Sequence, residues 1–277
     1  MQIMPCIKGE NDMELMQRFK SGVVIASDSF FILWRNPALL TYFGIATFIK
    51  IIVSILTTAY SWYQYNACVH FFVIHLPAQC VIVPLTIFAQ VALTHHTTAI
   101  MDGADTTIRQ SIQSAMRKWY PILLWSGLTL VVNMLYKEIS YIQYHAPLEL
   151  SLSILGLIWM LLTLFVPTAI ALEELSPLEY LAHSIIVVRI YLFKILGGLF
   201  WIALIFLICI VPFNGLWLVA KVIPGLYYSV TFMHLINSLE LCIQWIISSA
   251  NAIFKTIIYL HHKEGLEELE QLRYPRM

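Results

Sequence analysis

Long apolar runs alternate along the chain with shorter polar and basic stretches. The hydrocarbon core of a bilayer takes about 20 apolar residues per helix. Six runs approach or exceed that length, near 38–62, 74–95, 119–137, 150–172, 192–214 and 236–260. Each predicts a transmembrane helix. Residues 215–235 are apolar but broken by Pro224 and Gly225. They read as an interfacial connection, with a seventh span as the alternative. The pattern predicts an all-α polytopic bundle of six spans, with amphipathic helices along the cytoplasmic face. Residues 1–36 would form a cytoplasmic N-terminal segment, 37–262 the membrane domain, and 263–277 a short cytoplasmic tail.

The stretches between spans carry helix-start signals. Ser176-Pro177-Leu178-Glu179 is a capping box: the Ser hydroxyl can accept from the backbone three residues on, and the Glu can reach back. Pro177 falls at the first helical position, where a missing N–H costs nothing. The spacing of Leu178, Leu181, Ile185 and Val188 predicts one apolar face for the helix that follows. Thr107-Ile108-Arg109-Gln110 repeats the signal before a short helix, with Ile108, Ile112, Ala115 and Trp119 on one side. Phe19 to Trp34 is a third amphipathic segment, ahead of Arg35-Asn36-Pro37 and the first span. The recurrence suggests a threefold repeat of an interfacial helix plus a transmembrane hairpin. Ordinary basic cytoplasmic loops would look much the same.

Composition agrees with a membrane solvent. The chain is 60% hydrophobic and 12% charged, against about 25% charged in soluble domains. Its formal net charge is zero, which gives no reason to expect a nucleic-acid partner. Lys and Arg are uneven: thirteen fall on the side of the termini, Lys137 and Lys221 on the other, and Lys50 inside the first span. By the positive-inside rule both termini are cytoplasmic, in a multi-pass protein of the cell membrane. The basic helices would meet membrane lipids, anionic ones at that face. The first twenty residues do not read as a signal peptide. The five cysteines, Cys6, Cys68, Cys80, Cys209 and Cys242, are scattered and form no C-x-x-C. Cys68 and Cys80 could meet in an oxidising compartment, or pack as small apolar groups.

Signatures of nucleotide binding, zinc hydrolysis or serine catalysis are absent. No cofactor, metal or catalytic residue is expected, and the chain reads as non-enzymatic. Its suggestive polar positions lie elsewhere. Glu173 and Glu174 stand where the fourth span leaves the membrane, after Pro167, which kinks that span. One of them could bind a cation or substrate, or pair with Arg189 or Arg117; both could equally be simple markers of the exit. Lys50 lies about 20 Å along its helix from Pro37, near mid-membrane, where a lysine costs about 2.5–3.5 kcal/mol or more. Glu240 is the one acid expected inside a span and a candidate partner, though Lys50 could instead snorkel to the interface. His95–His96 and His261–His262 sit at helix ends and lack the spacing for a shared metal.

The segments 35–40 (RNPALL), 166–189 (VPTAIALEELSPLEYLAHSIIVVR) and 248–265 (SSANAIFKTIIYLHHKEG) resemble an uncharacterised group of bacterial and archaeal six-span membrane proteins. That group is similar in turn to the membrane domain of some glycerophosphodiester phosphodiesterases. Pro167, Glu173 or Glu174, Pro177, Ser184 and Arg189 fit its pattern; the doubled glutamate and His183 depart from it. The resemblance implies the fold and brings no reaction with it. The first expectation for function is a non-enzymatic envelope or lipid-associated component. A small transporter or channel is the alternative, weakened by how little polar lining the spans offer. A membrane-embedded lipid-processing enzyme is the second alternative.

Overall fold

A computed structural model describes residues 12–61, 76–142, 146–222 and 230–273. Among the described residues every regular element is helical. In chain order they are α1 (Asp12–Arg35), a 3-10 turn (Pro37–Leu40), α2 (Thr41–Ser61), α3 (Leu76–Met101), α4 (Ile108–Arg117), α5 (Trp119–Ile142), α6 (Ala146–Leu162), α7 (Val166–Leu172), α8 (Pro177–Val222) and α9 (Val230–Arg273). The protein is an all-α bundle. Four described helices are long and apolar enough to cross a membrane: Pro77–Met101, Ile154–Leu172, Pro177–Phe213 and Leu235–Leu266. A fifth arises if the bent pair Glu14–Arg35 and Pro37–Val53, which turns by 100°, counts as one span. Trp119–Met134, over the third predicted span, is apolar but shorter.

The centre is built from α9, which packs against α1, α2, α3 and α8. Ala250, Ile253, Phe254, Ile257, Ile258 and Tyr259 fill the core from it. Helix α1 lies closer to the bundle than a loosely attached interfacial helix would. It crosses α8 with backbones nearly touching: a Cβ on Gly22 would collide with the carbonyl of Lys194, and one on Gly197 with that of Phe19. Small residues let membrane helices approach in this way without any apolar driving force between them. At the other edge, the Trp245 indole N–H donates to the Leu40 carbonyl at 2.6 Å. That bond fastens α9 to the 3-10 turn.

Several helix ends follow the predicted chemistry. The Thr107 box is complete: its N–H donates to Gln110 Oε1 at 2.8 Å and its hydroxyl accepts from the Gln110 N–H at 3.3 Å. Helix α3 closes on Gly103, at φ +69°, with Ala104 N–H donating to the Ala99 carbonyl and Gly103 N–H to that of Ile100. This is the left-handed cap that glycine tolerates best. Pro84 is carried inside α3.

Other expectations need correcting. Helix α8 absorbs both the interfacial helix and the fifth predicted span, marked only by non-helical angles at Tyr191, and it runs through Pro212 to Val222. Its buried face is Tyr180, Ser184, Val187 and Val188; Leu178 is 80% exposed and Ile185 also faces outward. In a bilayer an apolar side chain gains nothing by turning inward, so periodicity alone does not select the packed face. Trp119 likewise is exposed rather than packed. Cys80, Cys209 and Cys242 are free thiols, while Cys6 and Cys68 lie outside the described residues.

Candidate functional site

Two polar regions stand out. The first is the junction between α6, α7 and α8. Helix α6 stops at Leu162, the chain turns, and α7 restarts at Val166 with Pro167 in its first turn. The break leaves backbone groups without helical partners. Ser184, from α8, satisfies two of them: its hydroxyl donates to the Leu162 carbonyl at 2.6 Å and accepts from the Phe165 N–H at 3.1 Å. Pro167 therefore belongs to a repaired break rather than a simple kink.

Helix α7 ends on Glu173, whose backbone turns extended. Its carboxylate accepts from the Tyr259 hydroxyl at 2.7 Å and meets His183 Nδ1 at 3.5 Å. Its carbonyl accepts from Lys118 Nζ at 2.9 Å and, more weakly, from the Tyr180 hydroxyl at 3.4 Å. A cation at this helix end also suits the dipole. Lys118 reaches the Glu174 carboxylate as well, at 3.4 Å, but that carboxylate is 93% exposed. Neither Arg117 nor Arg189 forms an ion pair with these glutamates: both arginines are exposed, and Lys118 is the cation that meets them. The junction is thus a structural knot in which Glu173 joins α7, α8 and α9. Half of the predicted Ser176 box is present, the Ser176 N–H donating to Glu179 Oε2 at 2.7 Å.

The second region is an open cavity of about 640 Å³ between α2, α3, α5 and α9. Lys50 and Glu240 both line it. So do Gln79, Thr86, Thr129, Asn133, Asn237 and Gln244. The two charged groups share this space without an ion pair within 4.0 Å. The direct Lys50–Glu240 pair considered from the sequence is not made, though its partners are brought to one site. Neither group, nor any of the four amides, hydrogen-bonds another protein side chain or backbone group among the described residues. Amides and hydroxyls thus supply more polar lining than the apolar runs suggest, beside Val53, Ile82, Val83, Ile87 and Leu241.

Polar residues continue past the cavity along α3 and α9, forming a polar seam. At about 100° per residue, Asn237, Glu240, Gln244, Asn251 and Lys255 of α9 fall within an arc of about 60°. Gln79, Thr86, Gln90, Thr94 and Thr97 of α3 fall within about 80° by the same rule. The helices meet beyond the cavity where the Thr256 hydroxyl donates to Thr94 Oγ1 at 3.2 Å. Gln90 Nε2, Thr97 Oγ1 and Asn251 Oδ1 are buried without a hydrogen-bond partner, and Lys255 is only 8% exposed. Among the described residues no cluster of His, Cys, Asp or Glu is arranged to hold a metal.

Residues 65–268 match a family of unknown function, DUF6159. The chain belongs to that family. The match spans α3 to most of α9, so it takes in both the knot around Glu173 and three of the four cavity walls. No curated protein and no solved structure matches the chain. No link to the membrane domains of glycerophosphodiester phosphodiesterases emerges from the match. The DUF6159 protein is an integral membrane protein by its helices, and its family carries no assigned activity.

Proposed function

We propose that this protein is a small non-enzymatic transporter that carries a polar solute along the seam between α3 and α9. In this reading six helices span the bilayer, both termini are cytoplasmic, and the cavity opens toward the outer half. The observation that carries it is the length of the α9 stripe. From Asn237 to Lys255 it covers about 27 Å of helix, close to the roughly 30 Å of a hydrocarbon core. Buried polar groups are nearly always paired, and in lipid an unpaired one is dearer still. A stripe that merely stapled helices together would pair Gln90 and Asn251 with protein groups; instead atoms of both lack partners. Polar side chains of this kind mark a wetted route. The exposed Arg109 and Arg117 of α4 suit contact with anionic lipid headgroups at the cytoplasmic face.

Single cysteines introduced by Gln244→Cys, Gln90→Cys and Asn251→Cys into a cysteine-depleted chain test the route. A small charged thiol reagent should modify them in proteoliposomes faster than Leu207→Cys or Ile208→Cys, which face outward. Equal rates at seam and outward positions would refute a wetted seam.

A further inference from the structure

We infer that the cavity between α2, α3, α5 and α9 binds a small zwitterion, its anionic group at Lys50 and its cationic group at Glu240. The inference rests on the transport reading and names the class of solute. Its ground is the disposition of charge. Lys50 on α2 and Glu240 on α9 are half-buried, of opposite sign, and line the same 640 Å³. In low dielectric two such groups attract strongly, and a purely structural pair would close to contact. Here they stay apart, across a volume inside the range of small-molecule sites, about 300–1,000 Å³. Gln79, Asn133, Asn237 and Gln244 surround them with donors and acceptors not committed to protein partners.

The charge of the cavity also selects its guest. Lys50 and Glu240 sum to zero. An ion of either sign would satisfy one of them, strand the other, and leave a net charge within the membrane. A neutral solute could hydrogen-bond to both but would leave both charges uncompensated. A zwitterion of matching length answers both and keeps the site neutral. This chemistry has two sources: a free amino-acid-like or betaine-like solute, or the headgroup of a zwitterionic lipid such as phosphatidylethanolamine.

The test is calorimetric titration of the full chain in nanodiscs of phosphatidylglycerol alone. Alanine, glycine betaine and glycerophosphoethanolamine, a phosphodiester of zero net charge, are the zwitterionic probes; ethylammonium and propionate are the single-charge probes. At least one zwitterion should bind tenfold or more tighter than either single-charge probe. Lys50→Met and Glu240→Gln should each weaken that zwitterion at least tenfold, without the same loss for the single-charge probe that uses the remaining group. Repeating the titration in phosphatidylethanolamine nanodiscs separates the sources. Free glycerophosphoethanolamine that binds in the first discs and is competed away in the second identifies the lipid headgroup; binding unchanged between them identifies a free solute. Single-charge probes binding as tightly as every zwitterion, or no zwitterion binding at all, would overturn the inference. The wild-type series decides this even if a variant fails to fold. Seam cysteines that stay reactive in that case would leave the transport reading standing with a different solute.

Discussion

Ser184→Ala tests whether one hydroxyl holds the fourth predicted span together across its break. The Leu162 carbonyl and the Phe165 N–H would both lose the Ser184 hydroxyl, which they now meet at 2.6 and 3.1 Å. Ser184 and Phe165 are fully buried, so water does not substitute freely. Stranding one buried polar group costs about 1–3 kcal/mol. Hydrogen bonds in membrane proteins measure lower, about 0.6 kcal/mol on average and about 1.7 at most, because the unfolded chain in lipid also finds partners. Two backbone groups lost together put the expected cost near 2 kcal/mol. For a chain of this size that is a fall in Tm of about 4–8 °C. Thermal unfolding in detergent, followed by circular dichroism, reads it directly. Ser184→Cys, which keeps the size and a weak donor, should fall between wild type and alanine. A Ser184→Ala protein that melts with the wild type would refute the repair, and with it the account of how α6 and α7 form one broken span.

The glutamates should part company. Glu173→Ala removes the acceptor of Tyr259 and should cost about 1–3 kcal/mol, non-additively with Tyr259→Phe; Glu174→Ala breaks only an exposed pair, worth about 0–1 kcal/mol. Equal losses in a detergent unfolding assay would contradict this assignment. The glycines should divide as sharply. Gly22→Ala or Gly197→Ala forces backbones apart and should cost 1–3 kcal/mol or more, roughly the overpacking range, whereas Gly127, with open space around it, should accept alanine and gain about 0.5–1 kcal/mol of helix stability. Tm values for the three variants check the order, and a destabilised Gly127→Ala beside a tolerant Gly22→Ala would reverse it. A Glu173→Gln variant, which keeps an acceptor for Tyr259, should melt above Glu173→Ala.

Helix type and approximate position were legible because a bilayer imposes length and apolarity on every span. The start of α4 was legible to the residue, since the Thr107 box uses only local chemistry. Partnerships were not. Pairing Glu174 with Lys118 rather than Arg117 depends on where the end of α4 meets the end of α7, a tertiary fact with no local signature. Ser184 stood in the sequence as part of a pattern without a role, because its partners lie 19 and 22 residues back and become orphans only when the helix breaks. Packed faces were misjudged on α8 for a reason specific to membranes: lipid and protein interior are equally apolar, so Leu178 and Ile185 can point outward at no cost.

The cavity had a signal that a search for charge overlooked. Lys50 and Glu240 drew attention because ionised groups are the costliest to bury. Amides were passed over, though an unpaired amide in an apolar medium also costs several kcal/mol, roughly 2–7. Asn237, Gln244 and Asn251 recur on the same stripe as Glu240 and Lys255, a spacing readable from the sequence at 3.6 residues per turn. In a soluble helix such a stripe would simply face water and carry no information. Inside an apolar span it has to face protein or a wetted space, and the partnerless Asn251 Oδ1 and Gln90 Nε2 are what support the wetted seam proposed above. The period of neutral polar residues within a span therefore marks the polar seam better than its few charges do, and it puts Lys50 and Glu240 at one end of that seam instead of in an isolated pair.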